Sequence, residues 1–357
     1  MIPFFGLFLV WALGAIQFSS PRQREIEPVL FLSAASATIF FVGLRYEVGG
    51  DWETYLSMYQ LMYYQPLLYS VSITDPAYAF LNWLSASFNG GLWPVNLVCG
   101  FILISGLGAL ARKQANPWLA MTAATPYLII VVGMGYTRQA AAIGVICWTI
   151  SRSSPNKLGR TVAGIAFAAL FHKTAILFLP ILLAPVLARR PLHAAIGATL
   201  FIVIGQIVLG GDTDKLVTNY VNSDYQSSGA AIRVVMNVLA GIIFLWFKGR
   251  YLMSDYIKRV WTICSYLSLA SLLGLATAAS SVGVDRLALF LIPFQVVTFS
   301  GLPYALSRTE KPKPLILLGV TGYYFVVEFV YFVFADFSWA WVPYQNILFS
   351  DTAIHRL

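Results

Sequence analysis

The chain has 357 residues, 59% apolar and 11% charged, with 23 Lys plus Arg against 15 Asp plus Glu. A water-soluble protein of this length could not hide so much apolar surface or leave its exterior so poor in charge, so a soluble globular fold is excluded. The net charge of +8 does not indicate nucleic acid, because the basic residues sit in short clusters between apolar stretches and not on one continuous face.

Taken in chain order, apolar stretches predict crossings near 1–17, 28–44, 94–110, 117–134, 138–150, 161–171, 174–188, 192–209, 231–247, 260–279, 286–306 and 315–334. The expectation is an all-α polytopic integral membrane protein of about 12 helical segments, forming one membrane domain over residues 1–357. Met1 to Ile16 reads as a retained first helix, because Arg22 and Arg24 follow the apolar run where a signal peptide would carry its charge ahead of it. Several of the pieces are too short for ordinary spans. Cys99, Cys147 and Cys264 all lie inside apolar stretches without ligand spacing, so neither a metal site nor a disulfide framework is expected.

Charge distribution orients the segments. With the N-terminus outside, one face receives 16 of the 23 basic residues, opposed only by Glu25, Glu27, Asp255 and Glu310, and the positive-inside rule makes that face cytoplasmic. This arrangement requires that Tyr78 to Phe88 does not cross. It also requires that Gly164 to Leu187, interrupted by His172-Lys173 and Pro180, goes up and comes back. Broken or re-entrant elements of this kind persist in a bilayer only where their backbone faces protein or a water-filled cavity, so a cavity open to the outside is expected.

Residues 45–76 form an outer-face interfacial segment, and residues 210–230 an outer loop rich in Asp, Asn and Tyr. Asp51, Tyr55, Tyr59 and Tyr63 recur every four residues, which puts a carboxylate at one end of an aromatic helical face. Tyrosines anchoring an amphipathic helix among headgroups would give the same spacing; a sugar-binding surface is the other reading. Gly49-Gly50 permits a sharp turn before that helix, leaving Asp51 to cap it and point into the cavity.

Arg138, His172, Arg233 and Arg286 also fall near outer ends of crossings, together with Arg45. One such arginine can simply snorkel to water. Gathered together they suit a buried anion, and the chemistry that fits is a phosphate-rich substrate whose tail stays in the bilayer. His172 is either a packing residue or a group that holds phosphate or shuttles a proton, and Asp285, beside Arg286, reads as a pair partner and not as a second acid. Glu328, inside an apolar stretch, is either functional or bonded to Tyr323, Tyr324 or another helix. No phosphate loop followed by Lys-Ser or Lys-Thr is present, and no cofactor is expected.

The sequence Arg45-Tyr-Glu-Val-Gly-Gly-Asp51-Trp-Glu-Thr-Tyr55 resembles the Arg, Gly, Asp, Tyr pattern of the EpsG-like group of Wzy-type polysaccharide polymerases. Supporting matches are Arg138-Gln139 opening a small-residue helix, His172-Lys173-Thr174-Ala175, Arg233 in Ala-Ala-Ile-Arg-Val-Val-Met-Asn, and Asp285-Arg286 ahead of an apolar helix, so the resemblance covers nearly the whole chain. It implies a membrane-embedded glycosyltransferase of the bacterial cytoplasmic membrane, acting at its outer face on polyprenyl-diphosphate-linked glycan. By that resemblance Arg138, Arg233 and Arg286 hold the leaving diphosphate, and Arg45, His172, Lys173, Tyr55 and Tyr59 give supporting contacts. Asp51 would act as general base. Membrane lipids and a chain-length regulator are the other expected partners. A flippase for the same glycan, or a ligase moving it to another acceptor, shares most of these features.

Overall fold

The computed structural model describes residues 1–19, 26–188, 229–277, 281–307 and 311–350. The fold is all-helical, and among the described residues the only β-type pairing is an isolated antiparallel bridge between Arg45 and Asn346. In chain order the helices are α1 (Ile2–Gln17), α2 (Glu27–Gly43), α3 (Trp52–Gln60), α4 (Leu67–Ile73), α5 (Pro76–Ser87) and α6 (Trp93–Ala111). They continue as α7 (Pro117–Gly135), α8 (Thr137–Arg152), α9 (Leu158–Phe171), α10 (Lys173–Leu187), α11 (Ala230–Phe247), α12 (Asp255–Thr277), α13 (Ser281–Ala305) and α14 (Pro314–Phe334). Six of these are long and apolar enough to cross a bilayer, and α1, α2, α9 and α10 are shorter apolar helices. The chain is a multi-pass membrane protein. The expected crossing at 192–209 and the loop at 210–230 lie outside the described residues, apart from Gly229 and Ala230 at the start of α11.

The central element is α7, whose apolar window is wholly buried inside the bundle. Close approach of backbones sets the packing around it. A Cβ on Gly106 of α6 would lie 1.9 Å from the carbonyl oxygen of Gly144 in α8, so these two helices touch where neither has a side chain. Gly43, at the end of α2, meets Leu97 in the first turns of α6. The segment between them therefore leaves and returns at one end of the bundle, and α5 does not cross. At the opposite end Arg112 pairs with Glu27 at 3.7 Å and Asn116 donates to Ala15 O at 2.8 Å. Helix alternation gathers Arg152, Lys157, Lys248, Arg250, Lys311 and Lys313 there as well, as the charge pattern predicts.

Three prolines explain three irregular stretches. Each removes the N–H that the carbonyl four residues earlier would receive. Pro180 deprives Ile176 O, which takes the N–H of Leu179 instead, so Lys173–Phe178 winds as a 3-10 helix. Pro293 acts in the same way on Leu289–Leu291 within α13. Pro126 opens a π-helical stretch, Thr125–Val132, in α7, whose Ile130 carbonyl accepts from Trp341 Nε1 at 3.1 Å. His172 is the extended residue between α9 and α10, with φ −156° and ψ 109°. The expected up-and-back hairpin with a break at His172-Lys173 is thus present.

The outer segment differs from its expected form. Helix α3 ends at Gln60, so Tyr63 lies beyond it and the four-residue repeat does not continue along one helix. Tyr55 and Tyr59 are buried, not displayed.

Candidate functional site

Two aspartates build the polar centre, and both stand where a helix N-cap would stand. Asp51 precedes α3 and Asp75 precedes α5, yet neither carboxylate bonds to the helix it introduces. Each looks instead to an arginine. The capping role expected for Asp51 is therefore not the one it has: its Oδ2 lies 4.0 Å from Arg286 Nη2. The chain reaches this position by a left-handed turn at Gly49 (φ 115°), which presses its Cα onto the Met134 carbonyl, leaving no room for a side chain. Gly49 N–H is fixed to Ala340 O at 2.8 Å.

Asp75 is the hub that sequence reasoning missed. Its Oδ2 accepts from Arg138 Nη1 at 2.9 Å, and the same nitrogen donates to Thr74 Oγ1 at 2.9 Å. Its Oδ1 accepts the backbone N–H of Lys173 at 3.1 Å. His172 Nδ1 stands 3.7 Å from Oδ2, too far for a hydrogen bond but well within Coulombic reach. One carboxylate thereby ties α5, α8 and the α9–α10 break together. The motif Thr74-Asp75-Pro76 was legible as a helix start; nothing local in it announces a partner 63 residues away.

Arg286 lies over the Tyr136 ring at 4.0 Å, and its own carbonyl accepts from Gln139 Nε2 at 2.7 Å. Sequence put Asp285 and Arg286 ahead of the helix, but α13 begins at Ser281 and carries both in its second turn. Arg233 of α11 forks onto Asp285, Nε to Oδ1 at 2.5 Å and Nη2 to Oδ2 at 2.7 Å, with its guanidinium 5.6 Å from the Tyr127 ring. Arg138 lies 6.0 Å from the Tyr55 ring. The cluster is open on one side. Asp51, Arg286 and Arg138 have side chains 36%, 31% and 27% exposed, whereas Asp75 is 4% and Asp285 5% exposed.

Electrostatics separate the groups further. Burial raises the Asp51 carboxyl above its ordinary range, and the attraction of Arg286 and Arg138 only partly offsets this. Burial acts on Asp75 in the same direction but is outweighed by His172, Arg138 and the Lys173 N–H, leaving it low. His172 is lowered, first by burial and also by Arg138 and Arg286, against the pull of Asp75. Its neutral form is the stable one at neutral pH. Burial raises Tyr55, keeping its phenol protonated.

Not every expected ligand comes to the open side. Arg45 is 1% exposed and fully engaged: it donates to Val42 O at 2.8 Å, Thr137 Oγ1 at 2.8 Å, Asn96 Oδ1 at 3.0 Å and Val48 O at 3.2 Å. Tyr59 is turned away, its hydroxyl accepting the Gly91 N–H at 2.9 Å. Lys173 reaches the cluster through its backbone N–H. Glu328 is wholly buried on α14, and neither of its oxygens has a hydrogen-bond partner among the described residues. Asp51, Tyr55, Arg138, His172, Arg233 and Arg286 are the expected residues that do converge, together with Asp285, expected as a pair partner and found on Arg233, and with Asp75 and Tyr136 added.

Comparison with known proteins finds no similar curated protein and no similar solved structure. A family model matches along residues 29–346, a stretch that includes every residue of the cluster. A polysaccharide-polymerase-like role is what that family points to. The chain belongs to the EpsG family.

Proposed function

We propose that this protein is a polymerase that joins polyprenyl-diphosphate-linked oligosaccharide repeat units by glycosyl transfer. The observation that carries the reading is the placement of two partly open arginines by the partly open carboxylate of Asp51: Arg286 lies 4.0 Å from it, and Arg138, held by Asp75, acts on it through its charge. Two guanidinium groups held by protein partners suit a diphosphate in the ground state and, more strongly, the charge it gains on leaving.

In the proposed reaction a hydroxyl of one lipid-linked glycan attacks the anomeric carbon of another. The new C–O bond forms as the bond to the diphosphate breaks, and the leaving polyprenyl diphosphate keeps the electron pair. Asp51 takes the hydroxyl proton, a role suited to a carboxylate with a raised pKa. Arg138 and Arg286 hold the diphosphate. Arg233, forked onto Asp285, supports the Arg286 side from behind, and Asp75 fixes Arg138 and the His172 break. The reading includes the bacterial cytoplasmic membrane as location, with the cluster facing outward because the basic residues collect at the other end. A chain-length regulator is a proposed partner.

The test is product length from purified protein in liposomes supplied with a lipid-linked repeat unit. The expected result is a ladder of lipid-linked glycans lengthened by whole repeat units and lost in folded Arg138→Ala and Asp51→Ala proteins. Intact substrate moved across the membrane without elongation would replace the polymerase with a flippase.

A further inference from the structure

Helix α13 contains a joint, and α11 holds it. Because Pro293 has no N–H, Leu289 O lacks its usual donor and takes the N–H of Ile292. That N–H would otherwise serve Ala288 O. Ala288 O, the carbonyl that opens the tightened turn, gains a further donor from α11: Asn237 Nδ2 donates to it at 3.0 Å. The Oδ1 of the same side chain accepts from Gln295 Nε2 at 2.6 Å. Ala288 lies above the tightened turn and Gln295 below it, so a single amide touches both halves of the broken helix. Asn237 and Gln295 are 1% and 2% exposed. In a bilayer core neither water nor lipid can take over such bonds, so each amide has strong reason to keep its partner.

The half above the joint carries Asp285 and Arg286, and Asn237 stands one turn along α11 from Arg233. The amide pair and the Arg233–Asp285 fork therefore fasten the same stretch of α13 to α11 at two successive levels. Both amides also line one small internal cavity with Tyr127 and Arg233. We propose that Asn237 and Gln295 are positioning residues: they staple the break in α13 and hold Arg286 in register with Asp51 and Arg138. The consequence for catalysis rests on the polymerase reading; the staple itself does not. Misplacement of a charged group by about 1 Å can cost on the order of 100-fold in rate, so a staple remote from the chemistry has leverage on it.

The experiment uses nitroxide labels at Leu287→Cys, above the joint, and Leu315→Cys, at the far end of α14; both sites are exposed, and Cys99, Cys147 and Cys264 are buried. The interlabel distance distribution is compared among the otherwise unchanged protein, Asn237→Leu and Asn237→Asp. Asn237→Asp keeps the size and the acceptor for Gln295 but loses the donor to Ala288 O, and it serves if the leucine variant fails to fold. The expected result is a shifted or broadened distribution in each folded variant, with turnover of lipid-linked glycan reduced about 10- to 100-fold and KM changed much less. An unchanged distribution in the folded variants overturns the staple. A shifted distribution in a protein whose unsubstituted form never elongates glycan supports the staple and removes the polymerase reading instead.

Discussion

Arg45 and Arg138 make the most instructive comparison in the molecule. Both belong to the same end of the bundle, and Arg45 even bonds to Thr137, the residue next to Arg138. Arg45 spends its donors on two carbonyls, an amide and a hydroxyl, and is closed to solvent. Burial pulls its guanidinium down to about 10, still a cation at neutral pH. Arg138 is held by one carboxylate and one hydroxyl and keeps a quarter of its side chain open. The same side chain thus serves as a clamp in one place and as a hand in the other. What decides between them is the number of protein acceptors within reach.

The sharpest way to test that division is to remove each arginine in turn. Arg45→Ala leaves four acceptors in the interior with nothing to accept, and should cost about 3 kcal/mol or more of stability. The expected outcome is a large fall in thermal unfolding midpoint and in folded yield. A near-native midpoint would show that Arg45 is not a clamp. Arg138→Ala and Arg286→Ala should keep close to the native midpoint and lose about 100- to 1000-fold in glycan elongation. Arg138→Lys should rescue little, since an ammonium cannot span Thr74 and Asp75 while facing a phosphate in a planar fork.

Asp51→Asn sharpens the contrast between stability and activity. A group whose folded pKa is raised contributes stability below its ordinary value that is lost as pH rises through the folded value; the ionised Asp51 at neutral pH therefore opposes folding. The variant should unfold at the same or a higher temperature at pH 7 while elongation falls about 100-fold. Its loss should also remove an acid limb of the pH–rate profile lying above the ordinary carboxylate range. Retained elongation would move the proton to another acceptor.

How much of this was legible in the sequence follows from the range of each interaction. Membrane class, the non-crossing stretch before α6 and the break at His172-Lys173 were all readable, because hydropathy, basic clusters and Pro180 act locally. Convergence of Arg138, Arg286 and Asp51 was readable as shared placement at one end. The duties of Arg45 and Asp75 were not. Each depends on partners from distant helices: Arg45 meets Asn96 and Thr137, and Asp75 meets Arg138 and Lys173. The tyrosine repeat misled for a related reason. Period four places Tyr55 and Tyr59 on one face but does not say whether that face meets water or Tyr78, which lies 5.5 Å from Tyr55.

Asp75→Asn tests the hub at lower cost. The amide keeps the size but loses the charge that holds Arg138, so Arg138 should become more mobile and elongation should fall about 10-fold, with the midpoint lowered by less than for Arg45→Ala. A loss as deep as that of Arg138→Ala would mean that the carboxylate itself touches the reacting groups.

His172→Gln should give the smallest effect, and one visible only as pH changes. The imidazole is held below its ordinary value of 6.5, chiefly by burial, with Arg138 and Arg286 adding to it and Asp75 opposing. The unfolded chain therefore takes up this proton before the folded one does. Stability associated with neutral His172 is complete above about pH 6.5 and drains away as pH falls toward the folded value. Asp75, depressed from the carboxylate range, loses its contribution only at still lower pH. Between about pH 7 and pH 5 the difference in unfolding midpoint between the native chain and His172→Gln thus isolates the histidine. The native midpoint should fall faster than the variant's on acidification; equal slopes would show that the break holds His172 in a site that tolerates its charge, with Asp75 as an effective partner after all.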